Sequence, residues 1–179
     1  MKSRIIAVVL CVFLVAFSFV YGALKGWQQD AASVESTYSS LQGQLDTRVE
    51  AAANILIVAS RHLPADAPEV IALRSARDVL ASPAPLEDKE QANESMTLSA
   101  EQVLAALSLC DTVQSDPRDT MYVDSMLPQM LRESAAYTAK SAYNTAAQDF
   151  NTRYRQNPIS AFIAAQFGIH PFELFGQAQ

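Results

Sequence analysis

The run "IIAVVLCVFLVAFSFVYGAL", positions 5–24, contains no charged residue, and Lys2, Arg4 and Lys25 bracket it. A helix rises about 1.5 Å per residue, so this stretch extends roughly 30 Å, the thickness of a bilayer's hydrocarbon core. Basic residues precede the run, whereas the acidic Asp30 and Glu35 follow it. That asymmetry places the N-terminus in the cytoplasm and exports everything after Lys25. The competing reading is a cleaved signal peptide, since Val20 and Gly22 are small enough for a cleavage site before Ala23. The apolar run exceeds a usual signal core and Tyr21 crowds the cut, so an uncleaved anchor over residues 1–25 is the favoured expectation. A lipoprotein signal does not fit, because Cys11 lies inside the run and follows Leu10. Residues 26–179 then form an extracytoplasmic domain, periplasmic or extracellular, of a single-pass protein of the cytoplasmic (inner) membrane.

With Lys2 and Arg4 set aside, 11 basic residues, Lys25 at the edge of the run among them, face 19 acidic ones, a net charge near −8. Such a surface lacks the basic patch that nucleic acid or anionic lipid requires. Cys110 is the only cysteine outside the apolar run, so no disulfide is expected within the domain and Cys110 reads as a small apolar side chain. About 155 residues remain beyond the anchor, enough to bury close to 70% of the unfolded surface.

Seven of the eight prolines (all but Pro128) fall at helix ends or loops. Between them the chain is rich in Ala, Leu, Gln, Glu and Ser, poor in Gly, and free of sustained period-two alternation. The reading is all-α: an antiparallel helical bundle with long coiled-coil-like helices on an N-terminal transmembrane helix. A first helix is predicted from about Trp27 to Leu63, with Val34, Tyr38, Leu41, Leu45, Val49, Ala52, Leu56, Ala59 and Leu63 as its apolar stripe. Only Gly22 and Gly26 separate it from the anchor, so one continuous rod is expected. A second helix starts at "DAPE", capped by Asp66 with Glu69 completing the box, and ends near Ala81. A third covers about 86–114, its stripe including Met96, Val103, Leu104, Leu107 and Val113. A fourth opens at "DPRD" with Asp116 as cap and runs to about Gln156, with a kink or restart at Pro128. Its stripe from Ala139 is Tyr143, Ala146, Phe150 and Tyr154, and its alanines make it thin. Asn157 and Pro158 start a short last helix that Gly168 stops. The apolar residues beyond Pro158, among them Ile159, Phe162, Ile163, Phe167, Phe172, Leu174 and Phe175, are expected to close one end of the bundle; a membrane-surface role is the lesser alternative, since the segment lacks basic residues.

The blocks "QLDTRVEAAANIL" (44–56), "SARDVL" (75–80) and "ESAAYTAKSAYNTAAQDFNTRYRQNPISAFIAAQFGIHPFELF" (133–175) resemble those of the LemA family. In the first, Arg48, Glu50, Asn54 and Ile55 are in register. In the last, Glu133, Lys140, Tyr143-Asn144, Phe150-Asn151, Pro158, Ala161, Phe167, Gly168 and Phe175 hold the family spacing. Thr47 stands where the family usually has a second arginine, Ala51 and Ala53 replace a leucine and a proline, and residues 82–132 align loosely. The resemblance implies a helical-bundle ectodomain on one N-terminal membrane anchor and carries no activity with it.

The candidate binding residues are Arg48, Asn54, Arg77, Glu133, Lys140, Tyr143, Asn144, Phe150 and Asn151. The pair Tyr143-Asn144 recurs as Phe150-Asn151 two helical turns later, so both aromatics lie on the apolar stripe with the amides beside it. An amide there can bond across to a neighbouring helix and fix its register, with Asn54 as the expected partner. Arg48, Arg77 and Lys140 are expected to pair with Glu50, Glu133 or Asp149. His62 reads as a helix-end residue and His170 as a loop residue. No H-E-x-x-H, G-x-S-x-G, P-loop or dinucleotide glycine pattern occurs, so no catalytic residue, metal or cofactor is assigned. The functional expectation is a non-enzymatic protein-binding adaptor or scaffold, its partners other membrane or envelope proteins or further copies of this chain. The alternative is an extracytoplasmic small-ligand sensor that acts through a partner protein, since no second span follows to carry a signal inward.

Overall fold

Straight-chain residues and alanine lose little side-chain freedom in a helix, and they dominate this chain between its prolines. The computed structural model describes residues 2–139 and 141–175 and is all-α, with no strand among those residues. Its elements are α1 (Lys2–His62), α2 (Pro68–Ala81), α3 (Leu86–Ser108), α4 (Asp111–Gln114) and α5 (Pro117–Met121). A π-helical turn (Tyr122–Met126) follows, then α6 (Leu127–Ala139), α7 (Tyr143–Gln156) and α8 (Pro158–Gln166). As expected, α1 continues unbroken through Gly22 and Gly26. The chain groups into two compact units: a span unit containing the chain as far as Tyr38 together with Tyr143–Glu173, and a bundle unit of Ser39–Ala142 to which the chain from Leu174 also belongs.

In the bundle unit, α1 buries Leu41, Leu45, Arg48, Ala52, Ile55 and Ala59. These positions step by four, three, four, three and four, the spacing of a heptad seam. The predicted stripe placed Val49 where the seam has Arg48, and Val49 is only half-buried. Helix α2 packs along α3, burying Val70, Leu73, Ala76 and Leu80. Helix α3 also meets α6 and the π turn, which makes it the centre of the unit. Its predicted stripe of Met96, Val103, Leu104 and Leu107 is buried, as is Val113 on α4. Each fully buried leucine of this kind contributes about 1.5–3 kcal/mol of apolar burial.

Three predicted boundaries differ. Asp66 does not cap α2: Ala67 holds the N-cap position and no side chain caps it. Proline at the first helical position disfavours a helical residue before it, so Pro68 sets the start and leaves Asp66 one residue upstream. Helix α3 ends at Ser108, because Cys110 is extended (φ −80°, ψ 123°) and α4 begins anew after it. The fourth predicted helix is divided. Asp116 caps it as expected, accepting from the backbone N–H groups of Arg118 and Asp119. Pro128 then offers no N–H to the carbonyl of Asp124 and its ring crowds that group, so the turn before it widens. Leu127 N–H reaches back five residues to the carbonyl of Tyr122. The helix stops again at Ala139 and resumes at Tyr143, a second break that no proline or glycine marks.

In the span unit, the apolar part of α1 is a candidate membrane span by length and composition, and none of its described residues is buried. Phe13, Val15 and Phe17 all point outward. Beyond it, Trp27 and Val34 turn inward. Helix α7 buries Tyr143, Ala147 and Phe150, whereas Ala146 is half-buried. Helix α8 ends as its sequence predicts. Gly168 adopts φ +77°, its N–H donates to the carbonyl of Ala165, and Ile169 N–H donates to that of Ala164. That pair of bonds closes a Schellman motif, and the left-handed conformation at its centre suits glycine. The expected burial of the last apolar residues is corrected. Ile159, Phe162 and Phe167 are exposed, Ile163, Phe172, Leu174 and Phe175 are half-buried, and α8 packs instead through the small residues Ala161 and Ala164.

Candidate functional site

The repeated aromatic–asparagine pairs of α7 grip an extended segment. Asn151 acts as a two-point clamp: its Nδ2 donates to the carbonyl of Phe172 at 2.7 Å, and Phe172 N–H donates to its Oδ1 at 2.8 Å. One side-chain amide thereby satisfies both backbone groups of a residue outside any helix, which a buried loop otherwise leaves unpaired. One residue on, the Tyr143 hydroxyl donates to the carbonyl of Glu173 at 2.6 Å. Phe150 meets the Phe172 ring edge to face, centroids 5.0 Å apart, and meets Trp27 at 5.3 Å. Tyr38 lies 5.5 Å from Tyr143. Arg153 covers Trp27 at 5.7 Å and pairs with Asp30 at 2.7 Å. Burial first, then the neighbouring Tyr38 and Glu173, pushes the Tyr143 phenol up to about 12.

The repeat is therefore a docking face, and its ligand is the chain's own residues 172–173. Asn54, the expected partner, is exposed on α1, and the Asn151 amide is filled by Phe172. Asn144 is half-buried on α7. The sequence signalled the gripping face through its seven-residue interval; nothing in it marked an extended segment as the thing gripped.

In the bundle unit Arg48 is completely buried, and none of its expected carboxylate partners meets it. Its Nη2 donates to the backbone carbonyl of Asn93 at 3.0 Å and to the Thr97 hydroxyl. Nε and Nη1 have no protein partner, and Asn93 Oδ1 is likewise unpaired. Desolvation accordingly draws its pKa below the usual arginine range. Arg77 pairs with its neighbour Asp78 at the surface, and Glu133 accepts from Gln129 one turn away, so these two do not converge with Arg48. Glu50 and Asp149 are exposed. Lys140 lies outside the described residues.

A second polar cluster was not foreseen. His62 Nε2 meets Asp119 Oδ2 at 2.8 Å and His62 Nδ1 meets the Thr112 hydroxyl at 2.9 Å, while Arg61 reaches the same Asp119 oxygen at 3.1 Å. Since a carboxylate only accepts, the Nε2 facing Asp119 is the donor of that contact. Asp119 is buried, and its pKa is lowered chiefly by the His62 hydrogen bond, against desolvation and with help from Arg61. The order hydroxyl–imidazole–carboxylate is that of a general-base relay. The three groups join the end of α1 to α4 and α5, and so tie those helices together. Histidine 62 and aspartate 119 stand 57 residues apart in sequence, a pairing with no local signature. Among the described residues no three His, Cys, Asp or Glu side chains gather to hold a metal ion.

Comparison with models of protein families and with curated proteins finds no match for this chain.

Proposed function

We propose that this chain is a LemA-like, single-pass protein of the bacterial envelope whose helical domain works by binding other proteins rather than by catalysis. The N-terminal part of α1 serves as an uncleaved anchor in the cytoplasmic membrane, and the rest of the chain lies on the far side. The observation that carries the binding role is a groove of about 470 Å³ along α2 and α3, floored by Ala72, Ser75, Ala76, Ala92 and Ser95. Small side chains let a second helix approach closely, and a groove between two packed helices is a recurrent seat for an amphipathic helix. A photocrosslinker at Ser75 or Ser95 in native membranes tests this. The expected result is one reproducible heterologous adduct at both positions and none at exposed Asp149. Adducts only between copies of this chain would replace the adaptor with a homo-oligomeric scaffold.

One observation favours the sensor reading as an alternative. A polar cleft of about 350 Å³ is lined by Gln42, Asp46, Ser82 and the buried Lys89, among others. A large, reproducible thermal shift with one class of small anionic metabolite would promote that reading.

A further inference from the structure

Helix α8 is inside out for a protein in water. Its buried residues are the small ones, Ala161 at 4% and Ala164 at 0% exposure, while Ile159, Phe162 and Phe167 stay 60–73% exposed. The sequence around it, residues 157–170, contains no Asp, Glu, Lys or Arg, although the chain as a whole is acidic. A helix apolar on every side belongs in a core or in lipid. Its place within the span unit decides between them. Asn157 and Ser160, in the first turn of α8 and just before it, line one cleft with Ser18, Gly22 and Gly26 of α1. Ser18 lies about 9 Å, six residues at 1.5 Å each, inside the end of the uncharged run at Leu24. The start of α8 therefore stands level with the last turns of the apolar stretch. Arg153 and Arg155, both exposed, flank α8 on its N-terminal side.

We infer that α8 lies on the outer surface of the bilayer beside the anchor, with Ile159, Phe162 and Phe167 in the boundary between headgroups and acyl chains. Such a helix needs apolar bulk below and polar or basic groups at headgroup level. Phe162 and Ile159 supply the first; Arg153, Arg155 and the nearby Lys25 supply the second. The span and α8 then form a two-point attachment. The inference rests on the anchor reading proposed above.

The test uses the full-length chain with Cys11→Ala and Cys110→Ala, carrying one fluorophore-labelled cysteine at a time. The positions are Phe13→Cys in the apolar run, Ile159→Cys and Phe162→Cys on α8, and Asp149→Cys as an aqueous reference. Vesicles of phosphatidylethanolamine and phosphatidylglycerol, with or without brominated acyl chains, report lipid contact, and iodide reports water. The expected result is at least two-fold quenching by brominated lipid at positions 13, 159 and 162, and quenching by iodide alone at 149. Iodide quenching at both α8 positions, with position 13 still in lipid, overturns the inference and leaves the anchor standing. Protection of both α8 positions from either quencher overturns it in favour of a protein partner or a second copy. Iodide quenching at position 13 as well removes the anchor reading and this inference together.

Discussion

The two units solve the same problem with different chemistry. The bundle unit is held by aliphatic side chains on long helices, with Leu41, Leu73, Met96 and Leu107 fully enclosed. The span unit is held by rings and by side chains that bond to backbone: Trp27, Phe150 and Phe172 stack edge to face while Asn151 and Tyr143 hold residues 172–173. The difference follows from what each must bury. Helix against helix needs only matched apolar stripes, because the backbone is already satisfied. A segment without regular structure brings bare N–H and C=O groups, and these require polar side chains at the contact. Aliphatic packing is tolerant of shape, whereas the clamp depends on single atoms.

Substitutions that separate these two modes should differ in size and in what they disturb. Leu107→Ala carries the largest expected loss, about 2–5 kcal/mol, seen as a lower denaturant midpoint with hydrogen exchange accelerated throughout the bundle unit. Arg48→Met should act in the opposite direction. It removes a buried cation that no carboxylate compensates, and a gain of about 1–4 kcal/mol in the same measurement is expected; a loss would show that the guanidinium's hydrogen bonds outweigh its desolvation. Asn151→Ala should cost about 1–3 kcal/mol and free the Phe172 amide for exchange while leaving α3 amides protected. Loss of protection in α3 as well would erase the distinction between the units.

The two remaining effects depend on pH. The Asp119 pKa is depressed in the fold, so its contribution is present above the ordinary carboxylate range, near 3.9, and is lost as pH falls through the lower folded value. Asp119→Asn should therefore lower the thermal midpoint at pH 7 and flatten its decline under acid. Tyr143 shows the smallest expected effect. Its phenol is raised to about 12, so the neutral form is favoured by the fold. That contribution holds below about pH 10 and is lost as pH climbs toward the folded value. Tyr143→Phe should cost about 0.5–1.5 kcal/mol at neutral pH and remove this alkaline limb in a titration followed by circular dichroism.

Much of the helical architecture was legible in the sequence because apolar spacing and proline placement act locally. The stripe of α3, the cap at Asp116 and the stop at Gly168 all follow from residues within a few positions of each other. Arg48 was misplaced beside the seam, since a charged residue at a core position contradicts the pattern that defines the seam. The break between Ala139 and Tyr143 was invisible, because "AYTAKSAYN" is made of residues that tolerate a helix. The clamp was half legible: periodicity exposes a gripping face, but chain segments 21 or 30 residues apart meet for reasons no spacing rule records.

The widened turn before Pro128 has an arithmetical consequence. A π turn is an α-helix into which one residue has been slipped and absorbed, so deleting Asp124 or Ser125 would restore the ordinary winding and leave α6 in phase, whereas winding every residue as α-helix would rotate α6 by roughly 100° about its own axis. In that rotated helix Leu131 and Ser134 would leave the interior, and their preceding neighbours Met130 and Glu133 would swing toward it. The bundle thus keeps its phase by absorbing a single supernumerary residue in that turn, and a chain shortened by one within α6 instead would have to find a different register.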